Sequence, residues 1–208
     1  MTQLSEQEIV NIKAFIDNLT AAKKHDSLND LTAEKLKARI YSIAESDKNK
    51  NNKIDTTEAI PLIQGILSTN PSGDKILHGL CERAAIDDEA GKNSKDVIIA
   101  SAAKAESHIN FIREIAKATQ KGMKTPEAAI ESYRFMELGT TDQGLRSYVD
   151  KANKEISVAM SEQISEILKK DKSLTDKAAN LPDTTYLRTL DADNICIGVN
   201  KRGIGRSI

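Results

Sequence analysis

Apolar residues recur at intervals of three and four along most of the chain, which is the spacing of one face of an α-helix. The first such stretch follows Ser5, and Ser5-x-x-Glu8 has the spacing of a helix-capping box. The pattern predicts a helix over about 6–22 and a polar linker over 23–30. Further helices are predicted up to Ser46, after Glu58, from Asp74, from Ser94, from Thr125-Pro126 to near Gly139, and from Asp142. We therefore expect an all-α protein, a multi-helix bundle of about seven helices.

The helical pattern weakens towards the C-terminus. Leu181-Pro182 is predicted to end the helical part, and residues 194–199 are typical of a short strand or an ordered tail. The expected organisation is an N-terminal helical region over 1–90, a helical bundle packed on it over 91–181, and a C-terminal tail over 182–208.

Residues 47–58, with the sequence DKNKNNKIDTTE, place oxygen-bearing groups at alternate positions between two predicted helices. Ca²⁺ takes six to eight oxygen ligands, and the twelve-residue loop of the EF-hand family supplies them from positions 1, 3, 5, 7, 9 and 12. Counted from residue 47, these are Asp47, Asn49, Asn51, the backbone carbonyl of Lys53, Asp55 and Glu58. The segment resembles the EF-hand family over about residues 32–69. The resemblance implies one Ca²⁺ bound by these six residues, with Glu58 as the bidentate ligand.

Three other positions of this loop refine the expectation. Ile54 stands at position 8, where the family has an apolar anchor, and Asn52 stands at position 6, where the family has glycine. Asparagine tolerates a positive φ better than other non-glycine residues, so we expect the turn to form. Three acids are balanced by three lysines within the loop. Because ligand charge sets affinity, we expect weaker binding than a loop with four acids would give.

EF-hands usually occur in pairs, and the expected partner falls near residues 87–98. Its position 8 is Ser94 and its position 12 is Ile98, so this segment is at best a degenerate, metal-free partner. A loop from a second copy of the chain is the alternative, and the sequence leaves both open.

Composition and motifs argue against several other classes of protein. Thirty Lys and Arg against 31 Asp and Glu give a net charge of -1, which does not indicate nucleic acid as a partner. The longest apolar run, Val97–Ala103, is far short of the roughly 20 residues that cross a bilayer. No secretory signal is visible, so we expect a cytoplasmic protein or one secreted without a recognisable signal peptide. No nucleophile elbow, phosphate loop or zincin motif occurs, and we expect no enzyme.

The leading hypothesis is a calcium-binding helical protein whose ion is structural or modulates contact with a protein partner of unknown identity. In a sensor, ion capture would open an apolar groove, here lined by Ile40, Ile43, Leu62, Ile63 and Ile66. The chain has only four methionines, which favours a structural ion or one dedicated partner over a promiscuous groove. The alternative is a helical interaction or effector-type protein that acts independently of calcium. A third possibility is an enzyme with a dispersed site, and the oligomeric state stays open.

Overall fold

The computed structural model describes residues 4–55, 58–59, 62, 88–136, 138–184 and 187, with the backbone alone over 88–101 and at 104. Six helices lie within these ranges, and the one β interaction among them is an isolated bridge. The all-α prediction is confirmed. The predicted helices around 63–67 and 76–84 and the predicted strand 194–199 lie outside the described residues. The helices are α1 (Glu6–Asp30), α2 (Ala33–Ser46), α3 (Asp88–Gln120), α4 (Glu127–Ser132), α5 (Gln143–Lys169) and α6 (Lys172–Ala179).

Two predicted helix starts are confirmed by their caps. The Ser5 hydroxyl accepts from the Glu8 amide at 3.3 Å, and the Glu8 carboxylate accepts from the Ser5 amide at 2.7 Å. That backbone bond, followed by the bond from the Ser5 hydroxyl, lowers the pKa of Glu8 below its ordinary value. At the start of α5, the Asp142 carboxylate accepts from the Leu145 amide at 2.8 Å. Both caps satisfy amides that have no partner within the first turn of the helix.

The predicted linker over 23–30 is wrong, because α1 continues to Asp30. The Gln163 side chain of α5 donates from Nε2 to the carbonyls of Leu28 and Leu31, at 2.9 and 2.8 Å. Carbonyls at the C-terminal end of a helix lack partners within the helix. The two bonds from Gln163 therefore stabilise the end of α1, although the residues there are polar.

Two further boundaries differ from the prediction. Helix α4 ends at Ser132 rather than near Gly139, and Tyr133 is extended. The amides of Phe135 and Met136 donate to the Asn153 side-chain oxygen at 2.9 and 2.8 Å, which replaces the bonds of a continued helix. The N-cap of α4 is Pro126, which makes no side-chain cap.

The predicted start of a helix at Ser94 is also wrong, because α3 already begins at Asp88. Acidic residues are favourable in the first turn of a helix. Gly91 costs only about 1 kcal/mol in a helix interior, and α3 is 33 residues long. One apolar face of α3 is buried where its side chains are described, at Ala102, Ala105, Ile109, Ile112 and Ala116.

The residues group into two compact units. The first combines residues of the ranges 1–37 and 111–179, and the second combines residues of 38–110 and 180–208. The predicted domain ranges, which are contiguous in sequence, stay a prediction.

In the first unit, α1 packs along α5. The Tyr148 hydroxyl donates to both carboxylate oxygens of Asp17, at 2.9 and 3.0 Å, and this bond raises the pKa of Tyr148. Lys24 forms an ion pair with Glu155 at 3.2 Å. The Asn153 side chain, 3% exposed, also donates to the Met136 carbonyl at 2.9 Å. Long-range polar contacts therefore fix the segment after α4 as well as the α1–α5 pair.

In the second unit, α2 contributes the buried residues Ile40 and Ile43. Arg39 of α2 lies 2.8 Å from the Nε2 atom of the buried His108 of α3. A guanidinium can only donate, so His108 accepts at Nε2 and carries its proton at Nδ1. This bond joins the helix that precedes residues 47–58 to α3.

No helix in the part of the chain that the structure describes has the length and apolar character needed to cross a membrane.

Candidate metal centre

The first half of the 47–58 loop is organised around the Asp47 carboxylate. Its Oδ1 accepts from the Asn51 amide at 3.1 Å and its Oδ2 from the Asn52 amide at 2.8 Å. The Asn49 side-chain oxygen accepts from the Asn51 amide at 3.0 Å, and the Asn51 side-chain oxygen accepts from the Lys53 amide at 2.8 Å. The chain therefore winds so that the oxygens of three predicted ligands face backbone amides of the same turn.

The second half is closed by Glu58, which is only 5% exposed. Its Oε1 accepts from the amides of Lys48 and Asn49, at 2.7 and 3.3 Å, and its Oε2 from the Asp55 amide at 3.1 Å. In return the Glu58 amide donates to Asp55 Oδ1 at 3.0 Å. Glu58 is thus hydrogen-bonded both to Asp55 and to the backbone amides at the start of the loop. These bonds join the two ends of the loop.

One contact crosses the loop directly. The Asn49 side-chain amide donates to Asp55 Oδ2 at 3.1 Å, which brings positions 3 and 9 together. The structure therefore places the side chains of Asp47, Asn49, Asn51, Asp55 and Glu58 in one hydrogen-bonded network with the backbone of residues 48–55.

Two loop residues have left-handed backbone conformations, Lys50 with a φ of 56° and Asn52 with a φ of 60°. The expectation that asparagine accommodates the bend at position 6 is confirmed. Ile54 at position 8 is fully buried, while Lys48, Lys50 and Lys53 are exposed. Their charges consequently face solvent rather than the interior of the loop.

A short parallel bridge joins the loop to the segment after α6. The Ile54 amide donates to the Asp183 carbonyl at 2.9 Å, and the Asp183 amide donates to the Asn52 carbonyl at 2.9 Å. Residues 88–98 belong to α3 and form no loop of this kind, and the alternative of a loop from a second copy of the chain stays a prediction. The backbone partner of Ile54 at position 8 is therefore Asp183.

An open cavity of about 300 Å³ lies beside the loop in the same unit. It is lined by residues of α2 together with Lys48 and Glu58. The polar residues on the side of α2 are Tyr41, Ser42, Glu45 and Ser46. The cavity brings solvent next to the otherwise buried Glu58 side chain.

The described residues contain no group of three or more His, Cys, Asp and Glu side chains already converged as a metal site. Within the loop, the carboxylates of Asp47 and Glu58 accept from backbone amides. Two of the six predicted donors are asparagines and one is a carbonyl, so the acids alone do not define the site. All six donors are oxygens, which suits a hard cation such as Ca²⁺ and does not suit a soft metal.

Comparison with known proteins adds no relative. No family model matches the chain. No curated protein and no solved structure matches it either.

Asp183 is the contributor to this site that sequence reasoning missed. It lies 125 residues beyond the last predicted ligand and acts through its backbone, so its residue type carries no signal. The preceding Leu181-Pro182 indicated only where a helix ends.

Proposed function

We propose that this protein binds one calcium ion in the 47–58 loop, and that the ion stabilises the second unit. The six donors would be Asp47, Asn49, Asn51, the Lys53 carbonyl, Asp55 and Glu58. The observation that carries the proposal is the spacing of six oxygen donors in a loop whose side-chain oxygens bond to the amides of its own turn. When bound, the ion would supply positive charge at the centre of these oxygens, in place of some amide contacts.

A structural ion is favoured over a sensor. Ile40, Ile43 and Leu62, three residues of the groove that a sensor would open, are at most 2% exposed. Opening would expose this apolar surface at a cost of about 25 cal/mol per Å². The loop is neutral overall, which limits the binding energy available to drive such a change.

Ion binding requires Glu58 to exchange amide bonds for the ion. The three amides that it accepts from belong to residues 48, 49 and 55. These amides hold the ion-free loop closed, so we expect a well-formed loop before calcium arrives. Calcium should therefore change stability more than secondary structure.

The test is calorimetric titration of the full chain with Ca²⁺, together with thermal unfolding in calcium and in chelator. One binding site is expected. A free calcium concentration one hundred times the dissociation constant should stabilise the protein by about 2.7 kcal/mol. Mg²⁺ should bind more weakly, because it demands a smaller octahedral shell and gives up its water reluctantly.

The decisive variant is Glu58→Gln, with Glu45→Gln as its matched control. Glu45 lines the same cavity but stands outside the six donor positions. Glu58→Gln should weaken calcium binding by at least about tenfold because it removes the bidentate carboxylate, whereas Glu45→Gln should bind as the wild type does. Glu58→Gln also loses an amide acceptor, so the quantity compared is the calcium-induced rise in melting temperature. An equal rise in both variants would refute calcium binding through Glu58, whereas no rise in the wild type would leave the calcium-independent interaction protein as the alternative.

A further inference from the structure

The peptide units on either side of Lys53 are held from outside the loop. The Asn52 carbonyl accepts from the Asp183 amide, and the Ile54 amide donates to the Asp183 carbonyl, both at 2.9 Å. The two bonds engage the residues that flank Lys53, while the proposed ligand is the carbonyl of Lys53 itself.

These bonds fix the direction of that carbonyl. The Lys53 carbonyl and the Ile54 amide belong to one peptide unit, and no peptide bond in the described residues is cis. In a planar trans peptide the C=O and N–H point in opposite directions. Because the Ile54 amide points at Asp183, the Lys53 carbonyl points away from it.

The preceding peptide unit shows what lies on that opposite side. The Asn52 carbonyl faces the Asp183 amide, so the Lys53 amide faces the other way. It donates there to the side-chain oxygen of Asn51, one of the proposed ligands, at 2.8 Å. The side of the chain turned away from Asp183 is therefore the side on which the Asn51 oxygen, one of the proposed ligands, lies.

The segment that provides these contacts is itself well anchored. Leu181 and Leu187 are 2% and 1% exposed, and Thr184 is fully buried. The Leu187 amide donates to the Thr184 carbonyl at 2.9 Å. A backbone held by buried neighbours on both sides of Asp183 gives the bridge a fixed point of attachment.

We propose that the backbone of Asp183 is a positioning element of the calcium site, which aims the Lys53 carbonyl at the ion. This inference rests on the proposed function and adds a contributor outside the loop. By reciprocity, an ion bound at the Lys53 carbonyl should strengthen the two bonds to Asp183. Calcium binding and attachment of the segment 181–184 are thereby coupled.

The test compares Asp183→Pro with Asp183→Ala in the full chain. Proline removes the amide that donates to Asn52, whereas alanine removes the side chain and keeps both backbone bonds. Calorimetric titration with Ca²⁺ should give a dissociation constant roughly two- to tenfold higher for the proline variant. This is the change in affinity that the loss of one hydrogen bond produces. The alanine variant should bind within about twofold of wild type, a difference smaller than one hydrogen bond would make. A proline variant that melts lower in chelator but binds calcium as wild type does would overturn the inference, because the bond would then be structural only.

A second measurement needs no variant. Amide hydrogen exchange of the wild-type chain, with and without Ca²⁺, should show slower exchange at Ile54 and Asp183 in calcium. Unchanged exchange at both amides, in a protein that binds calcium, would overturn the inference while leaving the proposed function intact. A wild-type chain that binds no calcium would overturn both, so the two failures are distinguishable.

Discussion

Asn52 provides a direct test of the loop conformation. Its φ of 60° lies in the left-handed region, and its backbone is bonded on both sides. Its amide donates to Asp47 Oδ2 at 2.8 Å, and its carbonyl accepts from the Asp183 amide at 2.9 Å. The chain cannot leave the left-handed region without disturbing these two bonds. Substitutions at this position should therefore reveal the cost of that conformation.

The comparison is Asn52→Ala against Asn52→Gly. The left-handed conformation destabilises a residue with a Cβ by about 1–2 kcal/mol, and it does not destabilise glycine. Alanine also stabilises the folded state by about 0.4–1 kcal/mol relative to glycine, because the unfolded chain has fewer conformations with alanine than with glycine. The alanine variant should consequently be less stable by roughly 0.5–1 kcal/mol. For a chain of this size the difference corresponds to about 1–4 °C in melting temperature.

The assay is thermal unfolding in chelator, followed by circular dichroism at 222 nm, with urea midpoints as a second measure. The matched control is Ala22→Gly on the exposed face of α1. There the order reverses, because glycine costs about 1 kcal/mol relative to alanine within a helix. An Asn52→Ala variant that melts at or above Asn52→Gly would refute the left-handed bend and the loop geometry built on it.

The remaining predictions concern the first unit. Asn153→Ala removes three bonds to backbone groups of Phe135 and Met136 and should cost about 3 kcal/mol in urea unfolding. Ser157→Ala removes one bond, to the Tyr133 carbonyl, and should cost about 1 kcal/mol; equal losses would contradict this account. Ser5→Ala should move the pKa of Glu8 part of the way back up, since the backbone bond, its largest cause, remains. Because the folded pKa is lowered, the stabilisation by Glu8 is present above its unfolded pKa and is lost as pH falls through the folded value. Carboxyl carbon shifts in an NMR titration measure this, and an unmoved midpoint would count against the capping box.

Local pattern predicted the parts of the fold that local physics determines. The Ser5 capping box and the Asp142 cap follow from residue types within one helical turn. The buried positions of α3 and α5, such as Ile109 and Ile156, follow from helical spacing. The residue types and spacing of the 47–58 loop could also be identified from the sequence, because all six predicted donors lie within twelve residues.

The features that sequence reasoning missed depend on distant partners. The end of α1 is held by Gln163, and the end of α4 is set by Asn153. Each of these side chains bonds to backbone far away in the sequence, where a residue's neighbours give no signal. The same holds for Asp183, whose contribution to the loop is made by backbone atoms that every residue except proline shares.

The bridge between the loop and Asp183 also has a consequence for biosynthesis. The loop is complete as a sequence once Glu58 has been added, but its attachment point follows 125 residues later. At about 5–20 residues per second, a ribosome needs roughly 6–25 seconds to cover that distance. During this interval the nascent chain carries the loop without its two backbone bonds to Asp183, which can form only after that residue has been added.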